Sequence, residues 1–387
     1  MIRCQKKGCF AMNMLNYLQW RGDLSLAAAH FQEVDALILS RVSYLPMDGV
    51  LTEDWDAGKT MAQAVQELTA TQGYHLLWPD DGPMMQLAAQ SERFGGMRLC
   101  GYVNVLDTDQ EKQFSAVTIR LNDQDIFVSF RGTDNTLVGW KEDFNMSFME
   151  TVPGQRQAAE YLRRAALCAS GRIYVGGHSK GGNLAVYSAA FCGEDLQDRI
   201  VQVYNMDGPG FAQSIVQKPE YQRICKRILT YIPQNSVVGM LLEHEEPRQV
   251  IHSTETGLQQ HNVYSWEVLR DHLIPAQGVE KSSEFIDRSL KSWLQAMDEE
   301  KRGRIIDAAF EILSAPEKTT MSEISADWMQ SGVAMLRSWQ QLDSEEQRNM
   351  LASVKTLVKA FWENMDMLQN RGEKSEKETA VLGKENT

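Results

Sequence analysis

The stretch Arg172–Phe191, RIYVGGHSKGGNLAVYSAAF, decides how the chain is read. A short apolar run with β-branched residues ends in two glycines, and a helix-prone run begins near Asn183. Between them, Gly177-His178-Ser179-Lys180-Gly181 fits the pattern G-x-S-x-G. A strand that turns straight into a helix holds the residue at the turn in a strained backbone conformation. Its neighbours two places away on either side must then be small. The helix that follows aims free N–H groups and its positive dipole end at the serine oxygen. The spacing therefore points to Ser179 as a nucleophile. An innocent serine in a glycine-rich turn satisfies the same five letters, and it is the strand before and the helix after that carry the reading.

Working outward, residues 14 to 92 are mostly helical, with apolar positions at helical spacing in Phe31–Leu45 and in residues 57–72. Leu99–Leu106, Phe114–Leu121 and Asp125–Phe130 read as strands. A helix over Gly154–Ser170 follows, ended by Gly171, and further strands lie at Arg199–Gly208, Arg227–Ile232 and Arg248–Ser253. This alternation predicts an α/β sheet, largely parallel in its second half. From about residue 279 the texture changes to amphipathic helices, ending in a charged tail over 371–387 with the composition of a disordered segment. The expected organisation is a possible extension at 1–13, with Met12 or Met14 as the true start, an α/β unit with N-terminal helices at 14–278, a helical appendage at 279–370, and the tail.

Composition narrows the function. The chain of 387 residues carries 39 basic and 52 acidic side chains, a formal charge of −13. That argues against nucleic acid as a partner. Six scattered cysteines without a C-x-x-C pair fit a reducing, cytoplasmic setting. No window approaches the length of a transmembrane segment, and the N-terminus lacks a signal-peptide pattern.

Upstream of the elbow, VSFRGTDNTLVGWKEDFNMSF (Val128–Phe148) ends a strand in Arg-Gly-Thr and continues to a Trp-x-x-Asp pair. Together with GGHSKGG, this stretch resembles the class 3, fungal-type lipases, over roughly residues 97 to 265 and closest to a bacterial branch of unassigned substrate. The resemblance implies an α/β-hydrolase fold. It also implies that Thr133 and the N–H of Lys180 form an oxyanion hole, and that Asp134–Met146 is a short lid anchored by Trp140 with Asp143 as its polar counterpart. From the residues alone, a Gly-Thr at a strand end offers an unpaired N–H to an acyl oxyanion, though an ordinary strand end looks the same.

The α/β-hydrolase order puts the base last, which leaves His244, His252, His261 and His272. His252 reads as a packed strand residue, His244 as part of a solvated acidic face, and His272 as part of a helix over Val263–Ile274. His261 lies in the loop after the last strand, where the lipase family keeps its catalytic histidine. The acid departs from the family pattern. Ser236 stands where class 3 lipases have aspartate. One strand earlier, Asp207 ends an apolar run before Gly208-Pro209-Gly210, a position that some vertebrate-type lipases use. Asp207 is the expected acid, with Glu243 and Glu245 in reserve and a simple turn cap as the bland reading. The expected function is a serine hydrolase that cleaves carboxylic esters of lipid or other apolar acyl substrates, with no cofactor and no metal. A thioesterase or acyltransferase on the same scaffold, and an inactive hydrolase fold used for interactions, remain as alternatives.

Overall fold

The strand–turn–helix at the elbow occupies the middle of an eight-stranded sheet. In the computed structural model, which describes residues 12–56, 58–134, 136–316, 318, 320 and 328–356, the strands follow one another across the sheet in chain order. β1 (Lys59–Thr60), β2 (Arg98–Asp107), β3 (Lys112–Arg120) and β4 (Ile126–Phe130) pair antiparallel. From β4 the pairing is parallel through β5 (Ile173–His178), β6 (Ile200–Met206), β7 (Ile228–Pro233) and β8 (Arg248–Ile251). Every residue of β4 and β5 is buried, as befits strands covered on both faces.

Two apolar cores flank the sheet. Helices α1 (Met14–Arg21), α2 (Glu33–Val42), α3 (Met61–Ala70) and α4 (Asp81–Gln90) cover one face, where Leu37 and Ile38 share a core with Phe127 and Tyr174. A helix α5 (Leu137–Asn145) follows β4. Helices α6 (Pro153–Ala165) and α7 (Lys180–Phe191) cover the opposite face, where Leu162 and Leu184 share a core with Val128 and Val175. This is an α/β-hydrolase-type sheet with the G-x-S-x-G turn between β5 and α7. The expected extension at 1–13 lies outside the described residues up to residue 11, and the expected tail at 371–387 lies wholly outside them. No helix among the described residues is long and apolar enough to cross a membrane.

The helix expected over Val263–Ile274 is instead a pair of 3₁₀ and turn residues leading into a hairpin, Val268–Leu269 with His272–Leu273. Its main chain is spent on the sheet edge: Glu267 N–H donates to His252 (2.9 Å), and His252 N–H donates to Ile274 (2.8 Å). Trp266 and Val268, two apart, both point inward, which is strand rather than helix spacing. β8 stops at Ile251, so His252 is not a packed strand residue; its ring is half exposed beside Glu267.

Three C-terminal helices, Lys281–Gln295, Glu299–Ser314 and Trp328–Gln341, with a further helical stretch over 344–356, make up the described part of the expected appendage.

Candidate active site

Ser179 has φ 60° and ψ −134°, a left-handed conformation that side-chain-bearing residues rarely adopt. The flanking glycines are required by contact. A Cβ on Gly177 would lie 2.3 Å from Gly181 main-chain atoms, and one on Gly181 would lie 2.2 Å from the Phe130 carbonyl. The turn is tied down by Ser179 N–H donating to Met206 O (2.9 Å). Lys180 is the first residue of α7, so its N–H belongs to the unpaired donors of a helix start. The Arg131-Gly132-Thr133 turn passes close by: a Cβ on Gly132 would stand 2.9 Å from Ser179 Cβ.

His261 and Asp207 meet. His261 Nδ1 lies 2.6 Å from Asp207 Oδ2, and the carboxylate is 1% exposed while the ring is 25% exposed. Asp207 follows β6 with φ 54°, a left-handed conformation that aspartate tolerates better than most residues. Its other oxygen accepts the Ser236 hydroxyl (2.5 Å), and Ser236 Oγ accepts Gly239 N–H (3.0 Å). Ser236, after β7, thus hydrogen-bonds the carboxylate that follows the neighbouring strand β6. Of the reserves, Glu245 is exposed, and Glu243 uses its main chain to pair with Phe211. His244, expected on a solvated face, is buried against Glu246 with 2.9 Å between Nδ1 and Oε1. Burial opposes ionisation of Glu246, but His244, Thr230 and Tyr221 outweigh it and hold the carboxyl down at about 2.

No hydrogen bond joins the Ser179 hydroxyl to His261 among the described residues. Such bonds are often long until substrate closes a site. Both side chains line one cavity of about 710 Å³, together with Thr133, Lys180, Trp140 and Asp143. The rest of its lining is largely apolar, and Leu290, Trp293, Leu294 and Ile306 come from the first two C-terminal helices. Among the described residues no group of three or more His, Cys, Asp or Glu side chains could hold a metal ion.

Three features escaped the sequence. His178, between Gly177 and Ser179, is buried, and its Nε2 lies 2.9 Å from the His261 carbonyl. Burial, with His261 and Arg41 nearby, holds its pKa well below the usual imidazole value, so it is neutral. With a carbonyl as partner, Nε2 carries the proton. The Tyr44 hydroxyl donates to the His178 carbonyl (3.0 Å) and accepts Gly132 N–H (3.0 Å), which links elbow and Thr133 turn.

Second, the Lys180 ammonium is fully buried. It donates to Glu142 Oε2 (2.9 Å), Gln113 Oε1 (2.9 Å) and Gln113 O (3.0 Å), while Glu142 also accepts the N–H groups of Gln113 and Gly154. Removing one partner of a buried pair strands the other charge. Glu142→Gln is expected to cost about 3–5 kcal/mol of stability in urea unfolding. A loss below about 1 kcal/mol would mean that the ammonium finds another partner or water.

Third, the Thr133 hydroxyl donates to Asp143 Oδ2 (2.5 Å), so only its N–H is left for a ligand. Burial pushes the Asp143 carboxyl from 3.8 up to about 6, against the pull of Lys180 and the Thr133 hydroxyl. An acid with a raised folded pKa binds its proton more tightly when folded, so stability is lost as pH climbs through that interval. Asp143→Asn cannot titrate. The thermal midpoint of the wild type, relative to this variant, is therefore expected to fall between about pH 4 and about pH 7. Melts at several pH values measure it, and a constant difference would show that the carboxyl titrates normally.

The Mbeg1-like family model matches residues 88–311, more than half of the chain. The chain belongs to the Mbeg1-like family. The Mbeg1-like region contains Ser179, Asp207 and His261 and runs on through most of the second C-terminal helix, so the cavity lining that the C-terminal helices supply lies inside it. No curated protein matches the chain. Among solved structures it is similar to M37 lipase, with 13% identity and a TM-score of 0.35 over 53% of this chain and 68% of that one. It is also similar to a fungal lipase in an inhibitor complex, with 14% identity and a TM-score of 0.36 over 61% of this chain and 80% of that one. A third likeness is to Rhizomucor miehei lipase in its propeptide complex, with 14% identity and a TM-score of 0.35 over 56% and 67%. Likenesses this slight carry no argument about chemistry.

Proposed function

We propose that this chain is a serine hydrolase that cleaves carboxylic esters with an apolar acyl part. The observation that carries the reading is the 2.6 Å contact of a buried Asp207 with His261, whose ring lines the same cavity as the strained Ser179. Asp207 would hold the ring with Nε2 free to act as base. Ser179 Oγ would attack the acyl carbon and pass its proton to His261. The N–H groups of Thr133 and Lys180 would hold the oxyanion. His261 would return the proton to the leaving alcohol, and water would then release the acid from the acyl-enzyme. Trp140, 43% exposed at the cavity, would contact the acyl part.

The test is labelling of the purified protein by a fluorophosphonate, alongside hydrolysis of p-nitrophenyl esters. His261→Ala is expected to be as damaging as loss of the serine, and the double variant no worse than either single one, because base and nucleophile act as a unit. A second reading, an inactive scaffold, would show neither labelling nor turnover. Thioesterase or acyltransferase chemistry would appear as faster turnover of a thioester, or as transfer to an added alcohol.

A further inference from the structure

The segment after Thr133, read above as a lid, is fastened on both faces. Inward, α5 holds the buried Glu142–Lys180 pair. Outward, Lys141 pairs with Glu111 (2.5 Å) and with Asp307 of the second C-terminal helix (3.1 Å). From that same helix, Arg302 donates to the Ser147 carbonyl (2.5 Å), and Phe310 meets Phe144 edge-on with ring centroids 5.8 Å apart. A hinged opening would break both sets of contacts and leave Lys180 as an uncompensated buried charge.

No opening is required. Ser179 is already partly exposed and lines the 710 Å³ cavity, a volume within the usual range for small-molecule sites. The far wall is itself fixed. The Trp293 indole N–H donates to both the carbonyl and the hydroxyl oxygen of Ser353, each at 3.0 Å. The cavity is thus a slot between α5 and the C-terminal helices, apolar over much of its lining, with Ser179, His261, Thr133 and the two carboxylates Asp134 and Asp143 among its polar residues.

We propose that α5 is a wall rather than a lid, and that the site takes one dissolved ester molecule, its acyl chain laid between α5 and the C-terminal helices, with no activation by an oil–water interface. This rests on the ester-hydrolase reading above. It makes residues of the helices after 279, Trp293 foremost, specificity determinants.

The experiment follows hydrolysis of p-nitrophenyl acetate, butyrate, hexanoate and octanoate across the concentration at which each ester leaves true solution. The expected result is ordinary saturation with no step at that point. kcat/KM should rise by about 4-fold per added methylene until the slot is full. A Lys141→Ala/Arg302→Ala variant, loosened on the outer face, is expected to lose several-fold in kcat/KM on dissolved esters, because its wall is displaced. A rate step at the solubility limit, or a gain in the loosened variant, would overturn the fixed wall while leaving ester hydrolysis standing. A flat chain-length series would overturn the acyl slot. No turnover of any ester, with no fluorophosphonate labelling, would remove the hydrolase reading and this inference with it.

Discussion

Ser179→Ala is expected to abolish fluorophosphonate labelling and to lower ester turnover by roughly 10³–10⁶-fold, since a triad loses nearly everything with its nucleophile. The change removes one oxygen and leaves the backbone conformation to be held as before. The turn is dictated by Gly177, Gly181 and the Ser179 N–H bond to Met206, none of which involves the hydroxyl. Strain of about 1–3 kcal/mol at such a residue persists in alanine. Circular dichroism and thermal midpoint should therefore be close to wild type, and the loss can be assigned to chemistry. Hydrolysis at the wild-type rate in a clean Ser179→Ala preparation would end the serine-hydrolase reading.

Asp207→Asn is expected to lower kcat by about 10⁴-fold. The carboxylate accepts from both sides, the His261 ring at 2.6 Å and the Ser236 hydroxyl at 2.5 Å. An amide can face His261 with its oxygen, leaving its NH₂ against the Ser236 hydroxyl, or turn the NH₂ toward the ring and favour the wrong tautomer. In neither orientation does it balance an imidazolium. Asparagine also tolerates the left-handed backbone at this position, so the fold should survive. Combining Asp207→Asn with Ser236→Asp moves a carboxylate to the adjacent strand, where the class 3 pattern keeps it, and partial recovery is the expected outcome. The measurement is kcat on a soluble p-nitrophenyl ester. Near-normal turnover in Asp207→Asn, with a large loss in Glu243→Gln or Glu245→Gln, would move the acid to that segment.

The elbow is legible in the sequence because its physics is local: a strand, two obligatory glycines and a helix start lie within a few residues. The strands from Leu99 to Ile251 are legible for a similar reason, since each declares itself by β-branched and aromatic content between turn signals, whereas their order in the sheet is set by pairing between distant segments. Asp207 is legible because it ends an apolar strand, and His261 because it lies in the segment after the last strand of the sheet. What is not legible depends on burial by distant residues. A lysine beside Ser179 reads as solvent-facing by default, and nothing near it announces that Gln113 and Glu142, 67 and 38 residues away, surround its ammonium. His244 reads as solvated because three acidic residues flank it, but burial of Glu246 draws it inward. The hairpin at 268–273 is lost for want of a visible partner: its strand character comes from the sheet edge. The apolar faces of Trp293, Leu294 and Phe310 are evident, whereas the slot they help to enclose belongs to the assembled molecule.

Lys180 joins two tasks that are separate in most descriptions of such sites. Its main-chain amide lies at the Ser179 turn as a proposed oxyanion donor, while its ammonium, at the end of the side chain, is the keel of α5 through Glu142. The position of the wall and the aim of that amide are therefore not independent. A substrate too wide for the slot would press on α5, and the load would pass through the pairs of Glu142 and Asp143 with Lys180 to the N–H proposed to meet the developing charge. Discrimination against a bulky acyl group would then register as slow chemistry on a bound molecule rather than as weak binding, a proofreading of shape at the moment of bond cleavage.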